Sequence, residues 1–211
     1  MTIELEKRNP KRLMTKEDSL RHVVHAAIRQ VWREEDPIAN CILVEAANEV
    51  SVDLLKHAKK SDPVWDSPYI IADKKKELQR ELKKPYNFLK HADRDATSTL
   101  PVYEIAESNE LFLFLVVIRY GLICGKYTEH MKLYLGYCLI WYPTLVDAGE
   151  IRRMFGDSHR EKFVDYTRTR FLKLWIEAIE ENKIYCAELA DDRRDAFDHG
   201  QSKILSNPIV P

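Results

Sequence analysis

One stretch of the chain carries polar side chains of the types that bind phosphodiesters and move protons. They recur at intervals of three or four residues, which places them on one face of a helix. Cationic side chains can hold a phosphate, and an imidazole can donate or accept a proton near neutral pH. We therefore predict a phosphodiester site on this helix, the third in the chain, formed by Arg80, Lys84, Asn87, His91 and Arg94. The alternative is a plain solvated face, as amphipathic helices usually show.

A divalent-cation site is a second interpretation of the same region. His91 and Asp95 are close in the chain, and Glu45 or Glu49 could join them from the preceding helix. Imidazole and carboxylate groups together suit a transition-metal or Mg²⁺ site. This alternative, a metal-dependent hydrolase, requires the third helix to end near His91. Our first interpretation needs no metal and no cofactor.

Several enzyme classes are excluded by the absence of their motifs. No histidine follows a glutamate at the spacing of di-iron bundles, and neither H-E-x-x-H nor a His-Asp pair occurs. The four cysteines are far apart and predict free thiols rather than a zinc site or a disulfide framework. Gly121 to Lys126 resembles a phosphate loop only superficially, since Tyr127 stands where Ser or Thr is required.

Composition favours an all-α protein without a membrane segment. The chain has 211 residues, and its 33 Lys and Arg nearly cancel its 34 Asp and Glu, so any basic site must be local. Six glycines are few for a protein built from hairpins. Residues 1–16 lack the apolar core of a signal peptide. The apolar run from Leu111 to Gly125 carries Arg119 and is too short for a bilayer, so we expect a cytoplasmic protein with a buried core helix.

Periodicity and capping residues predict a single bundle of about six or seven helices. We expect a flexible arm over 1–14, the bundle over 15–182 and a partly helical tail over 183–211. Three helices are expected to begin at the N-capping residues Thr15, Asp36 (followed by Pro37) and Thr128. Asp73 is expected to cap the third helix, and Pro85 to kink or break it.

The fourth helix is expected to start at Ser108 and to end before Gly125. A short helix is predicted over 148–155. Ser158 and Glu161 form a capping box that predicts a long helix to about Asn182. Its buried stripe would consist of Phe163, Val164, Phe171, Leu174, Trp175 and Ile179.

The segment Asn87-Phe-Leu-Lys-His91 resembles the second half of the HEPN signature, R-N-x-x-x-H, on a helix of an all-α bundle. The resemblance implies a homodimer in which residues of both protomers cleave RNA without metal, the 2′-hydroxyl attacking the phosphate. It implies Asn87 and His91 as the catalytic residues. The cations of the same predicted site, Arg80, Lys84 and Arg94, would bind the substrate. Tyr86 occupies the position of the signature's arginine, so the cation that would stabilise the transition state is absent there.

The wider tract N-F-L-K-H-A-D-R-D also resembles uncharacterised bacterial proteins. A function of another class fits the same sequence: a non-catalytic interaction or regulatory protein whose helices serve packing and dimerisation. Independently of that alternative, the aromatic residues of the fifth helix are predicted to form core or a dimer face rather than a base-stacking platform. They are Tyr134, Tyr137, Trp141 and Tyr142.

Overall fold

The computed structural model describes residues 13–63, 65–66, 72–91, 93–142 and 166–180. The described residues form an all-α bundle without a strand. Its helices are α1 (Lys16–Trp32), α2 (Pro37–His57), α3 (Ala72–Lys90), α4 (Val102–Cys124), α5 (Glu129–Trp141) and α6 (Arg168–Glu180). None of these helices is both long enough and apolar enough to cross a bilayer. Nearly all of the predicted arm, the predicted helix over 148–155 and the 183–211 tail lie outside the described residues.

Three helix starts follow the predicted caps. Thr15 and Asp18 form a reciprocal capping box, because each side chain accepts the other's backbone N–H, at 3.0 and 3.1 Å. Asp36 Oδ1 accepts the N–H of Ile38 at 2.8 Å, and Pro37 occupies the first helical position. Thr128 Oγ1 accepts the N–H of Met131. The sequence prediction is confirmed at all three.

The central helix, α4, is buried on nearly all sides. Every residue from 112 to 117 is buried, and α4 packs against α1, α2, α3 and α5. The predicted start at Ser108 is wrong, because α4 begins at Val102 and already buries Ile105 in its first turn. The predicted end is confirmed: Gly125 adopts φ 73°, the left-handed conformation that closes a helix.

The positions of α2 and α3 on α4 follow from their side-chain bonds. Asn109 Nδ2 donates to Pro37 O, and farther along both helices Arg119 Nη1 donates to Asn48 Oδ1, each at 2.7 Å. The two bonds occur in the same order along the chain, so α2 and α4 run parallel. Lys83 lies 3.4 Å from Glu45 in the middle of α2, which ties α3 to the same side of the bundle.

The third helix departs from its prediction at its start. It begins at Ala72, so Asp73 lies inside it rather than capping it, and it ends at Lys90. Pro85 does not break the helix, which continues through it. The proline is buried on the side of Leu82, where packing against the bundle compensates for the missing backbone N–H.

The last helix among the described residues starts later than predicted. Tyr166 and Thr167 are not helical, so α6 begins at Arg168, whose turn is capped by Thr167 Oγ1 accepting the N–H of Arg170 at 3.3 Å. The predicted box at Ser158, with Phe163 and Val164, lies outside the described residues. Leu174 is partly exposed rather than buried. The stripe facing the core includes Phe171, Leu172, Trp175 and Ile176.

The contact between Gly121 and Tyr127 offers a test of the α4–α5 connection. A Cβ atom on Gly121 would lie 2.2 Å from ring atoms of Tyr127, closer than atoms can approach. Gly to Ala normally stabilises a helix interior by about 1 kcal/mol. We expect Gly121→Ala instead to lower the free energy of unfolding by about 1–3 kcal/mol, measured by urea denaturation.

The control for this substitution removes the obstructing ring. In a Tyr127→Ala background, the same Gly121→Ala change should be neutral or stabilising, because the added methyl group then has space. Equal effects in both backgrounds would contradict the contact.

Candidate functional site

The polar stripe, as we call the residues of the predicted phosphodiester site, lies on the solvent side of α3. Arg80, Lys84 and Asn87 are exposed, and His91 is half-buried immediately after the last helical residue. Leu82 on the opposite side is buried in the core. The helical spacing therefore places Arg80, Lys84 and Asn87 together on one accessible face, with His91 at its end.

Arg94 does not belong to this helical face. The helix ends at Lys90, and the N–H groups of Arg94 and Asp95 both bond to the carbonyl of His91, at 2.8 and 3.3 Å. Helical spacing aligns Arg94 with the stripe only where the helix continues, so it does not apply to this residue. The Arg94 side chain is 74% exposed, with Asp93 3.9 Å away.

The cations of the stripe have carboxylate neighbours in solvent. Arg80 Nε donates to Glu81 at 3.1 Å, and Lys84 Nζ donates to Glu104 on α4 at 2.8 Å. The hydrogen bond to Glu104 is the main cause that raises the pKa of Lys84, which keeps this ammonium charged. Ion pairs in solvent are weak, because water and salt screen them, so both cations can exchange a carboxylate for another anion.

Tyr86, at the position of the signature's arginine, is half-buried. Lys90 Nζ lies 5.8 Å from the centre of its ring, within the range of a cation–π contact. A cation therefore adjoins this position, but it comes from the helix's last residue and contacts the ring. The backbone N–H of His91 bonds to Asn87 O at 3.0 Å, as in a helical turn, so these two residues lie one turn apart.

The carboxylates proposed for a metal site are in different environments. Glu45 is buried beside Lys83, whereas Glu49 and Asp95 are exposed. Burial, reinforced by the charge of Glu45, raises the pKa of Cys41 to about 11, so this thiol stays protonated and is a poor ligand. Within the described ranges, no three His, Cys, Asp or Glu side chains are grouped closely enough to hold a metal ion.

The most extensive polar cluster among the described residues is internal, and its members are too far apart in the chain to be recognised in the sequence. The carboxylate of Glu110, on α4, is fully buried. Its Oε2 accepts the hydroxyls of Tyr137 at 2.6 Å and Tyr142 at 2.8 Å, and its Oε1 accepts two nitrogens of Arg168, with Nε at 2.7 Å. Tyr134 donates to the backbone carbonyl of Glu110. Both carboxylate oxygens are thus occupied by donors of the chain itself.

The cluster shifts the ionisation of its members. Burial, with the charge of Glu110 adding to it, raises the pKa of Tyr137 and Tyr142, so both phenols remain donors. Burial opposes the charge of Arg168, but Glu110 and its hydrogen bonds outweigh that effect and raise the pKa. The result is a charged pair with neutral phenols around it, an arrangement that binds segments of the chain rather than a ligand.

A second buried network surrounds Arg119. Its Nε lies 2.7 Å from Asp62 Oδ2, and its Nη1 donates to Asn48. Asp62 also accepts the N–H of Trp65 at 2.9 Å, which ties the segment after α2 to the central helix. The Trp65 side chain is itself partly buried against the core.

Two stacked histidines lie between α1 and α5. The ring centres of His25 and His130 are 4.8 Å apart, and His130 also stacks on Trp32 at 5.8 Å. His25 Nε2 is 2.7 Å from Thr128 Oγ1, the side chain that caps α5. All four side chains are buried, so these imidazoles belong to the packing of the bundle.

The described cysteines and two of the α5 aromatics behave as predicted. Cys41, Cys124 and Cys138 are free thiols. Tyr134 and Tyr137 are completely buried, which confirms the core interpretation of the aromatic run for these two residues. Arg80, Lys84 and Asn87, exposed on one face of α3, are accessible to a ligand.

No protein-family model matches this chain, and the comparisons with curated proteins and with solved structures find no match either. Function must consequently be inferred from the described residues and from the resemblance in the α3 motif.

Glu110 and Glu34 allow a matched test of the internal cluster. Both accept a hydrogen bond from Arg168, but the Glu110 side chain is inaccessible whereas that of Glu34 is 34% exposed. We expect Glu110→Gln to lower the free energy of unfolding by about 3 kcal/mol, because it removes the buried one of the two carboxylates that pair with Arg168. Urea denaturation followed by circular dichroism measures the difference.

Glu34→Gln is the control, since it neutralises a carboxylate that pairs with the same arginine but lies at the surface. It should cost no more than about 1 kcal/mol. Similar losses in the two variants would show that Glu110 does not anchor Arg168 as the geometry indicates.

Proposed function

We propose that this protein binds RNA through the exposed face of α3. The observation that carries the proposal is the local charge of that helix. It holds six lysines and one arginine against one aspartate and two glutamates, in a chain whose net charge is −1. A cationic helix on a nearly neutral protein provides the local electrostatic attraction that a phosphodiester backbone requires.

The way α3 is attached to the bundle supports this role. Lys75 donates to the carbonyl of Trp65 at 2.9 Å, and Lys83 lies beside the buried Glu45, so these two lysines hold the helix in place. Arg80 and Lys84 project into solvent, 72% and 49% exposed. The helix therefore uses one set of cations internally and keeps another on a fixed, accessible surface, where phosphate contacts need no rearrangement of the backbone.

The resemblance to HEPN proteins favours RNA over DNA as the polyanion. Phosphate contacts alone do not distinguish the two, because the discrimination requires contacts to the 2′-hydroxyl. Asn87 is an exposed group on the same face with both a donor and an acceptor for such a contact. Arg80 and Lys84 would thus bind phosphates, and Asn87 would bind the sugar.

Charge reversal at Arg80 tests the location of the binding surface. We expect Arg80→Glu to weaken binding of a labelled RNA by about tenfold at roughly 0.1 M salt. The slope of log K against log salt should fall by about 0.7 for each phosphate that is no longer bound. Fluorescence anisotropy over a salt series gives both quantities.

Lys56→Glu is the matched control, because Lys56 is a 75% exposed cation on α2 and its reversal changes the net charge equally. Its affinity should stay within about twofold of the parent's. An equal loss in both variants would mean that net charge rather than α3 governs binding, and a parent protein that binds no RNA would overturn the proposal.

Metal-independent cleavage is a second candidate function, favoured by the half-buried His91 at the end of the same exposed face. His91 could transfer a proton at the 2′-hydroxyl or at the leaving oxygen. The HEPN resemblance extends this candidate to a homodimer, in which the partner supplies the second half of the site. Tyr86 supplies no cation for the developing phosphorane charge, so we expect slow turnover.

The variant His91→Ala separates binding from cleavage. We expect the parent to cleave RNA slowly in EDTA to 2′,3′-cyclic phosphate ends, and the variant to be about a hundredfold slower with little change in affinity. Denaturing gels with end analysis measure the rate. RNA that remains intact with the parent would remove this candidate and leave binding as the function.

A further inference from the structure

Tyr103 differs from the tyrosines of the core. It lies in the first turn of α4 and is 71% exposed, whereas Tyr120, Tyr134 and Tyr137 are buried. Its neighbour Val102 is 63% exposed as well. Both are large apolar side chains presented to solvent, and Tyr103 is the aromatic one.

The exposed ring adjoins the cationic face of α3. Tyr103 Oη donates to Glu104 Oε1 at 3.4 Å, and the other oxygen of the same carboxylate accepts Lys84 Nζ at 2.8 Å. A single carboxylate therefore separates the phenol from a cation of the stripe. The short link places an aromatic surface and a phosphate-binding group side by side although they come from different helices.

We propose that Tyr103 stacks on an unpaired base of the RNA whose phosphate Lys84 binds. This inference rests on the proposed function and names the form of RNA that the surface selects. Stacking on an aromatic side chain is available to every base, and it needs the base to be turned out of its own stack. Bases in a duplex have both faces covered, so the ring gains nothing from double-stranded RNA.

The neighbouring residues suit such a platform. In this proposal, Lys84 and Arg80 of α3 bind the phosphate backbone of the RNA. Tyr103 lies beside them, at the start of α4. Glu104, between the ring and Lys84, disfavours a phosphate directly over the phenol. The charge pattern thus separates the cations that bind phosphates from the ring on which a base stacks, as on other single-strand-binding surfaces.

The test compares Tyr103→Ala and Tyr103→Phe with the parent. Fluorescence anisotropy is measured with a labelled single-stranded RNA of mixed sequence, and with the same RNA annealed to its complement. We expect Tyr103→Ala to bind the single strand about tenfold more weakly and the duplex within about twofold of the parent. Tyr103→Phe keeps the ring and should bind as the parent does.

A salt series distinguishes this effect from that of Arg80→Glu. Removing a neutral ring should leave the slope of log K against log salt unchanged, because every phosphate remains bound. Parent-like single-strand affinity in Tyr103→Ala, or an equal reduction for single strand and duplex, would overturn the inference alone. A parent that binds neither RNA would overturn the proposed function together with it.

Light scattering on the same variants tests the competing use of an exposed aromatic. If Tyr103→Ala lowers the molar mass of the protein in solution, the ring belongs to an interface between copies of the chain, and the stacking role is wrong. An unchanged mass combined with selective weakening of single-strand binding supports it. Circular dichroism checks that each variant is folded.

Discussion

A carboxylate without access to water, in the central helix α4, constrains the rest of the bundle. Removing an ion from water costs several kcal/mol unless charges and hydrogen bonds replace the solvent. Glu110 meets that requirement with donors from three other places in the chain: Tyr137 in α5, Tyr142 just after it, and Arg168 at the start of α6. All three donors must be in place together, because the loss of any one would leave part of the buried carboxylate without a hydrogen bond. The placement of α5 and α6 on α4 is therefore fixed by one group.

Arg119 imposes a similar constraint at the other end of α4. Its guanidinium is fully buried, and it draws Asn48 of α2 and Asp62 of the following segment toward the central helix. Apolar packing alone would allow neighbouring helices to slide by a turn, whereas a buried charge has a partner in only one register. The two ionised groups of α4 thus set the positions that its leucines, valines and phenylalanines then fill.

Local signals in the sequence predicted helix ends well where a side chain or a glycine determines them. The caps at Thr15, Asp36 and Thr128 and the terminator Gly125 depend on residues within one turn. The failures have tertiary causes. The start of α4 extends to Val102 because Ile105 is buried, and the stripe of α6 turns away from Leu174 because Phe171 and Trp175 pack on α5. A capping motif is local, so it carries no information about which residues a neighbouring helix will bury.

The candidate site shows the same division. Helical spacing was sufficient to place Arg80, Lys84 and Asn87 together, and it failed for Arg94 as soon as the helix ended. The Glu110 cluster gave no signal, because its members are far apart in the chain and tyrosine is common in cores. Tyr103 could not be distinguished from those core tyrosines by its type. It is identified by exposure and by its single-carboxylate link to Lys84. Residues that a helix brings together can be recognised in a sequence, but those that two helices bring together become visible only when the packing is known.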